Sequence, residues 1–130
     1  ILLMSGSEYL MFDASRLMSA LRFAGTTMRP ISSDTAVVSV VTNRISDDCN
    51  GPVRDANNVW FRISRVDDCF AFHYSADGVE YQMVRVFTLP VGKTVKVGFE
   101  AQSPMGEGGY RYYSEISLEN KRVKNIRAGE

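Results

Sequence analysis

The chain has 130 residues, enough for a single domain with one core, since a compact domain near this length buries roughly two thirds of its unfolded surface. Its 15 Lys and Arg balance 15 Asp and Glu, so no global field draws in nucleic acid or an anionic membrane, and neither is expected as a partner. Two cysteines, one histidine and no apolar run near the ~20 residues that span a bilayer exclude a zinc motif, a two-histidine mechanism and a spanning helix.

The first run, "ILLMSGSEYLMF", lacks a basic leader and a small-residue cleavage site, so it does not read as a signal peptide. It starts abruptly in strand-like sequence, as though earlier strands lay outside the chain. "DASRLMSALRFAG", residues 13–25, has two readings: Leu17, Ala20, Leu21 and Ala24 suit successive helical turns with Asp13 as N-cap, while the flanking strands favour another strand. "TAVVSVVTN", residues 35–43, is a β-branched strand. "SDDCNGPVRDANN", residues 46–58, is polar and rich in turn formers, and reads as the one long connection, a length usually kept for function or mobility. Its Asp47, Asp48, Asn50 and Asp55 are oxygen ligands suited to a hard cation, but they lack the spacing of an EF-hand, and Asx-turns in a solvated loop are the plainer reading.

From residue 59 the period is two. "VWFRISR" sets Phe61 and Ile63 against Trp60, Arg62 and Ser64; "CFAFHYS" sets Phe70, Phe72 and Tyr74 against Ala71 and His73. "SADG", residues 75–78, is a hairpin signal leading into "EYQMVRVFTL", residues 80–89. After the "LPVGK" punctuation, "TVKVGFEA" sets Val95, Val97, Phe99 and Ala101 against Lys96, Gly98 and Glu100. "MGEGG", residues 105–109, lets the chain cross back into "YYSEISLEN", which alternates through Ile116 and Leu118. Strands every 10 to 14 residues with almost no helical period predict a single all-β, antiparallel sandwich or barrel over residues 1–130.

His73 alternates opposite the Phe70, Phe72 and Tyr74 stripe, so it points away from the main core. Trp60, Arg62, Arg85, Glu100 and Gln102 could project onto the same face, according to strand order and register. An aromatic ring beside planar polar groups is how many sandwiches hold sugars, the ring stacking on the pyranose while Arg and Gln bond its hydroxyls. The plainer alternative packs Trp60 beneath another strand and pairs Arg62 with Glu100. Glu100 and Glu115 are the carboxylates available for glycoside hydrolysis. There is no Gly-x-Ser-x-Gly, and "GEGG" lacks the spacing and the Lys of a P-loop and precedes a strand rather than a helix. Cys49 and Cys69 read as free thiols of a reducing compartment, placing the chain in the cytoplasm; a disulfide between them is the alternative and needs Cα atoms within about 7 Å.

The ordered motifs "SVVTNRISDD", "VWFRISRVDDCFAFHYSADGVEY" and "VKVGFEAQSPMGEGG" resemble the family labelled "regulation of enolase protein 1", over about residues 1 to 120. The resemblance implies a two-sheet antiparallel β-sandwich, a concanavalin A-like jelly roll of the lectin and glucanase type, with no agreed catalytic residues and no cofactor. It also implies several dozen residues ahead of this chain's start, so that N-terminal strands are lacking here. Where Asp48 follows Ser46-Asp47, members commonly have Trp, so any contact made by that ring is in doubt.

The expected function is a non-enzymatic binding module. Its ligand candidates are Trp60, Arg62, His73, Arg85, Glu100 and Gln102, bordered by Asp47, Asp48 and Asn50, with a carbohydrate on that face and no metal. The alternative is an intracellular regulator acting through protein contact, with a dimer left open. A glycoside hydrolase or lyase using Glu100 or Glu115 ranks third.

Overall fold

A computed structural model describes residues 3–4, 11–12, 19–26, 35–43, 45–54, 58–92, 95–97 and 112–130. Among them the regular elements are all strands: β1 (Leu3–Met4), β2 (Met11–Phe12), β3 (Ser19–Thr26), β4 (Thr35–Asn43), β5 (Ile45–Arg54), β6 (Asn58–Val66), β7 (Cys69–Ser75), β8 (Gln82–Thr88), β9 (Val95–Val97) and β10 (Tyr112–Asn120). They form a five-stranded sheet in the order β10-β3-β6-β7-β8, a three-stranded sheet β1-β9-β2 and the pair β4-β5. Every pairing is antiparallel, so the all-β antiparallel sandwich expected from the period-two runs is what the chain forms.

β6 and β7 occupy the middle of the large sheet, and their register sorts the side chains into two faces. Phe61 lies opposite Tyr74, Ile63 opposite Phe72 and Arg65 opposite Phe70; on the other face Arg62 lies opposite His73 and Ser64 opposite Ala71. The first face is the core. Ile63 packs against Phe61, Phe72 and Val97 of β9, which brings the small sheet over it. Phe70 is 2% exposed and stacks on Phe87 of β8 at 5.5 Å, while Phe72 meets the same ring edge-on at 4.9 Å. Such offset and T-shaped pairs suit the ring quadrupoles.

The polar run at residues 46–58 behaves differently from expectation. Most of it belongs to β5, paired to β4 from Thr35↔Arg54 to Asn43↔Ile45. Its Asp, Asn, Gly and Pro content reads locally as turn chemistry, but main-chain pairing with the β-branched β4 outweighs side-chain preference. A strand beside only one neighbour can carry polar residues outward at little cost. The ambiguous stretch 13–25 resolves as strand over Ser19–Thr26, where β3 is sandwiched between β6 and β10 and its main chain is bonded on both sides; residues 13–18 lie outside the described residues. "AQSPMGEGG" also lies outside them.

The "SADG" turn closes β7 onto β8 through a local network. The Ser75 hydroxyl donates to Asp77 Oδ1 and accepts from the Asp77 and Gly78 amides, and Asp77 Oδ1 accepts from the Val79 and Glu80 amides. These amide donors, Val79 first, hold the Asp77 carboxyl below its ordinary pKa. Gly78 has φ +77°, and a Cβ there would sit 3.1 Å from the Trp60 ring. Gly92 has φ +76° with open space around it. Gly92→Ala is therefore expected to cost roughly 1–2 kcal/mol from left-handed strain alone, and Gly78→Ala more, because Trp60 must also move. Urea midpoints of the two variants check this; equal losses would mean that Trp60 gives way freely.

Candidate functional site

The second face of the β6–β7 pair carries Trp60, Arg62, Ser64, His73 and Ser75, the polar side that the alternation assigns to a ligand. It is not open. The C-terminal segment 121–130 lies against it as a strap through Arg127 and Gly129, and His73 is 1% exposed and Arg62 6%. Arg62 Nη1 donates to the Gly129 carbonyl at 3.1 Å, and His73 Nε2 bonds the Arg127 carbonyl at 2.8 Å, so this nitrogen carries the ring proton. Gly129 is buried at φ +71°, and a Cβ on it would stand 3.2 Å from Arg62 Cδ and from His73 Cε1 and Nδ1. The strap keeps its own bonds as well: the Ala128 and Glu130 amides donate to the Asn125 carbonyl, the Asn125 amide to the Glu130 carbonyl, and the Arg127 amide to Asn125 Oδ1. Val123 is buried too, while Arg122, Lys124 and Arg127 are exposed.

Electrostatics on this face follow from burial. The Arg62 guanidinium carbon lies 3.6 Å from the centre of the Tyr81 ring, an arrangement in which the quadrupole supports the cation. Loss of water pushes the His73 pKa below its ordinary 6.5; the Arg127 carbonyl works against that shift and the neighbouring Arg62 charge adds to it. His73 Nδ1 and Ser64 Oγ are buried with no hydrogen-bond partner among the described residues. Trp60, opposite Ser75, sets its ring beside Gly78 of the β7–β8 turn.

Arg85 departs from the expected face. The β7–β8 register runs Phe72↔Arg85 and then His73↔Met83, so an irregularity at Val84 moves Arg85 onto the core side, where it lies 5.6 Å from the Phe87 ring. There it bonds Asp47 Oδ2 at 2.6 Å and the Asp47 carbonyl at 3.0 Å, tying β5 to β8. Asp47 thus lies on a strand and pairs with Arg85 rather than standing in a loop. Asp48 and Asn50 lie on β5 opposite Val40 and Val38, spread along an extended main chain rather than wrapped around an ion. Glu100, Gln102 and Asp55 lie outside the described residues. Glu115 is exposed at φ +53°, beside the register shift in β10. No three of the described His, Cys, Asp and Glu side chains gather as a metal site. Cys49 and Cys69 are free thiols.

A cavity of about 50 Å³ lies between β4 and the sheet, lined by Val37, Ser39, Phe61, Ile63, Phe72 and Val84 together with Arg62 and His73. Ligand pockets run about 300–1,000 Å³, so this space suits a few waters rather than a sugar ring. No described helix is long and apolar enough to cross a membrane.

Residues 26–121 match the family described as protein of unknown function DUF1349. The chain belongs to this family. Among solved structures, the DUF1349 chain is similar to a functionally unknown protein from Saccharomyces cerevisiae, with a TM-score of 0.71 and 18% identity over 87% of this chain and 73% of the other. At that identity the likeness speaks for the fold alone. A comparison with curated proteins returned no match.

The strap, which lies almost wholly beyond the matched residues 26–121, is the part of the candidate site that sequence reasoning missed. Residues 121–130 have no period of two, and their only signals are the turn formers Asn125 and Gly129. Two substitutions test the site's energetics by urea unfolding. Ser64→Ala is expected to stabilise by about 1 kcal/mol, because it removes a buried hydroxyl that has no partner. Asp47→Asn is expected to cost less than about 1 kcal/mol, since Asp47 is 69% exposed and its pair with Arg85 is largely screened. A Ser64→Ala chain that unfolds earlier would show that the hydroxyl is satisfied.

Proposed function

We propose that the DUF1349 chain is a non-enzymatic binding module whose β6–β7 face receives a short polypeptide segment in a turn conformation. The observation that carries this reading is the use to which Arg62 and His73 are already put: each donates to a main-chain carbonyl of the strap, the two carbonyls being two residues apart. Donors at fixed places on a sheet, with a glycine passing close between them, suit main-chain recognition. Binding then depends on backbone geometry, and side-chain pockets add selectivity. A sugar on this face would have to displace the strap and also find a free aromatic platform, whereas Trp60 is committed to Gly78.

A regulatory role through protein contact, of the kind the enolase-regulation resemblance implies, fits this face better than the lectin reading does. The partner's relevant chemistry is a segment with two accessible carbonyls flanking a residue, and a glycine where Gly129 lies. The test is an NMR titration of the Gly129→Ala chain, whose strap is weakened, with a synthetic peptide of sequence KRVKNIRAGE and separately with common oligosaccharides. Peptide-dependent shifts at Arg62 and His73, weaker in the unsubstituted chain, are expected. Shifts there from an oligosaccharide, or none from saturating peptide, would overturn the reading.

A further inference from the structure

We propose that the strap is an acid-opened cover, closed over Arg62 and His73 at neutral pH and released when the His73 ring takes up a second proton. The inference rests on reading this face as a polypeptide-binding surface and adds the control of its access.

The geometry leaves a second proton no place. With the ring proton on Nε2 and given to the Arg127 carbonyl, the site of the next proton is Nδ1, which is buried and has no hydrogen-bond partner among the described residues. The described groups around it offer no counter-charge. β6 presents the Arg62 guanidinium, itself a cation, directly across the register. On β7 the neighbours sharing the face are Ala71 and Ser75, and β8 brings uncharged Met83 opposite. Tyr81 lies on Arg62. The strap contributes main-chain atoms of Arg127 and Gly129, while the Arg127 and Glu130 side chains belong to exposed residues. An imidazolium here would therefore be desolvated, unpaired at Nδ1 and next to a like charge, three terms of one sign.

The strap is the element that can yield. β6 and β7 are bonded to neighbours on both sides, whereas residues 125–130 close a loop on themselves and can lift as a unit with those bonds intact. Lifting returns water to Nδ1 and relieves Gly129 of its close packing. In the closed state the imidazole pKa lies below 6.5, and in the open state it returns toward that value, so the His73 contribution to closure is fully present above 6.5 and declines as the pH falls beneath it.

The test is amide hydrogen exchange of the full chain, corrected for intrinsic rates. Between about pH 7.5 and about pH 5.5, protection of the 126–130 amides is expected to fall roughly tenfold while β6 and β7 stay protected. His73→Gln keeps a nitrogen donor for the Arg127 carbonyl but does not titrate, and its strap is expected to be equally protected at both pH values. Gly129→Ala is expected to leave the strap exchanging fast at every pH. Unchanged protection in the parent chain, or the same tenfold loss in His73→Gln, would overturn the proposal. If His73→Gln does not fold, the parent chain still decides through the NMR titration of the His73 ring: its protonation and strap opening must share one midpoint, and protonation under a closed strap would overturn the idea. The peptide titration at neutral pH judges the binding face separately, so failure of the pH response leaves that reading to its own result.

Discussion

The β6–β7 pairing is the constraint on which the rest depends. A strand pair in the middle of a sheet has two faces, and water must be kept from both if Phe70 and His73 are each to be almost wholly buried. The second sheet covers one face through Val97 and Ile63, a contact of ordinary apolar packing. The other face carries Arg62 and His73, which cannot be covered by apolar side chains without leaving donors unmade. Main-chain carbonyls are the covering that satisfies them, and the strap supplies two.

This division explains why the charged and polar side chains have such different duties. Arg65, on the core side, stacks on Phe70 and donates to the carbonyls of Asp67 and Gly92, holding the β6–β7 and β8–β9 connections together. Arg85 anchors β5 through Asp47 at a partly exposed rim, where the pair contributes little stability but sets orientation. Arg62, on the other face, bonds the Gly129 carbonyl of the strap. A guanidinium keeps its charge at all relevant pH, so among the described residues a change in charge on this face near neutral pH falls to His73.

Much of the sheet was legible from residues 59 to 89 because both of its codes are local there. Side-chain parity follows from the pleat, so Phe61, Ile63, Phe70, Phe72 and Tyr74 could be assigned to one face and Arg62 and His73 to the other. "SADG" specifies its own turn through Ser75 and Asp77. The candidate site was legible in its members and not in its setting. Arg85 left the group because an irregularity at Val84 reverses parity, and such an irregularity shows only once β7 is laid beside β8. Asp47 reads locally as a loop residue, yet β5 is made a strand by pairing with β4, against the preferences of its own residues.

The amino-acid sequence by itself determined an all-β chain, the turn that joins β7 to β8, and which residues of β6 and β7 look the same way. It did so because alternation, glycine at positive φ and Asx hydrogen bonds act over a few residues. Only the tertiary structure decided what covers each face. That outcome depends on Gly129 reaching residues 56 and 67 positions away, His73 and Arg62, and on the absence of room there for a Cβ. No local pattern in 121–130 encodes that approach, because its cause lies in the shape and donors of a surface assembled from strands elsewhere in the chain.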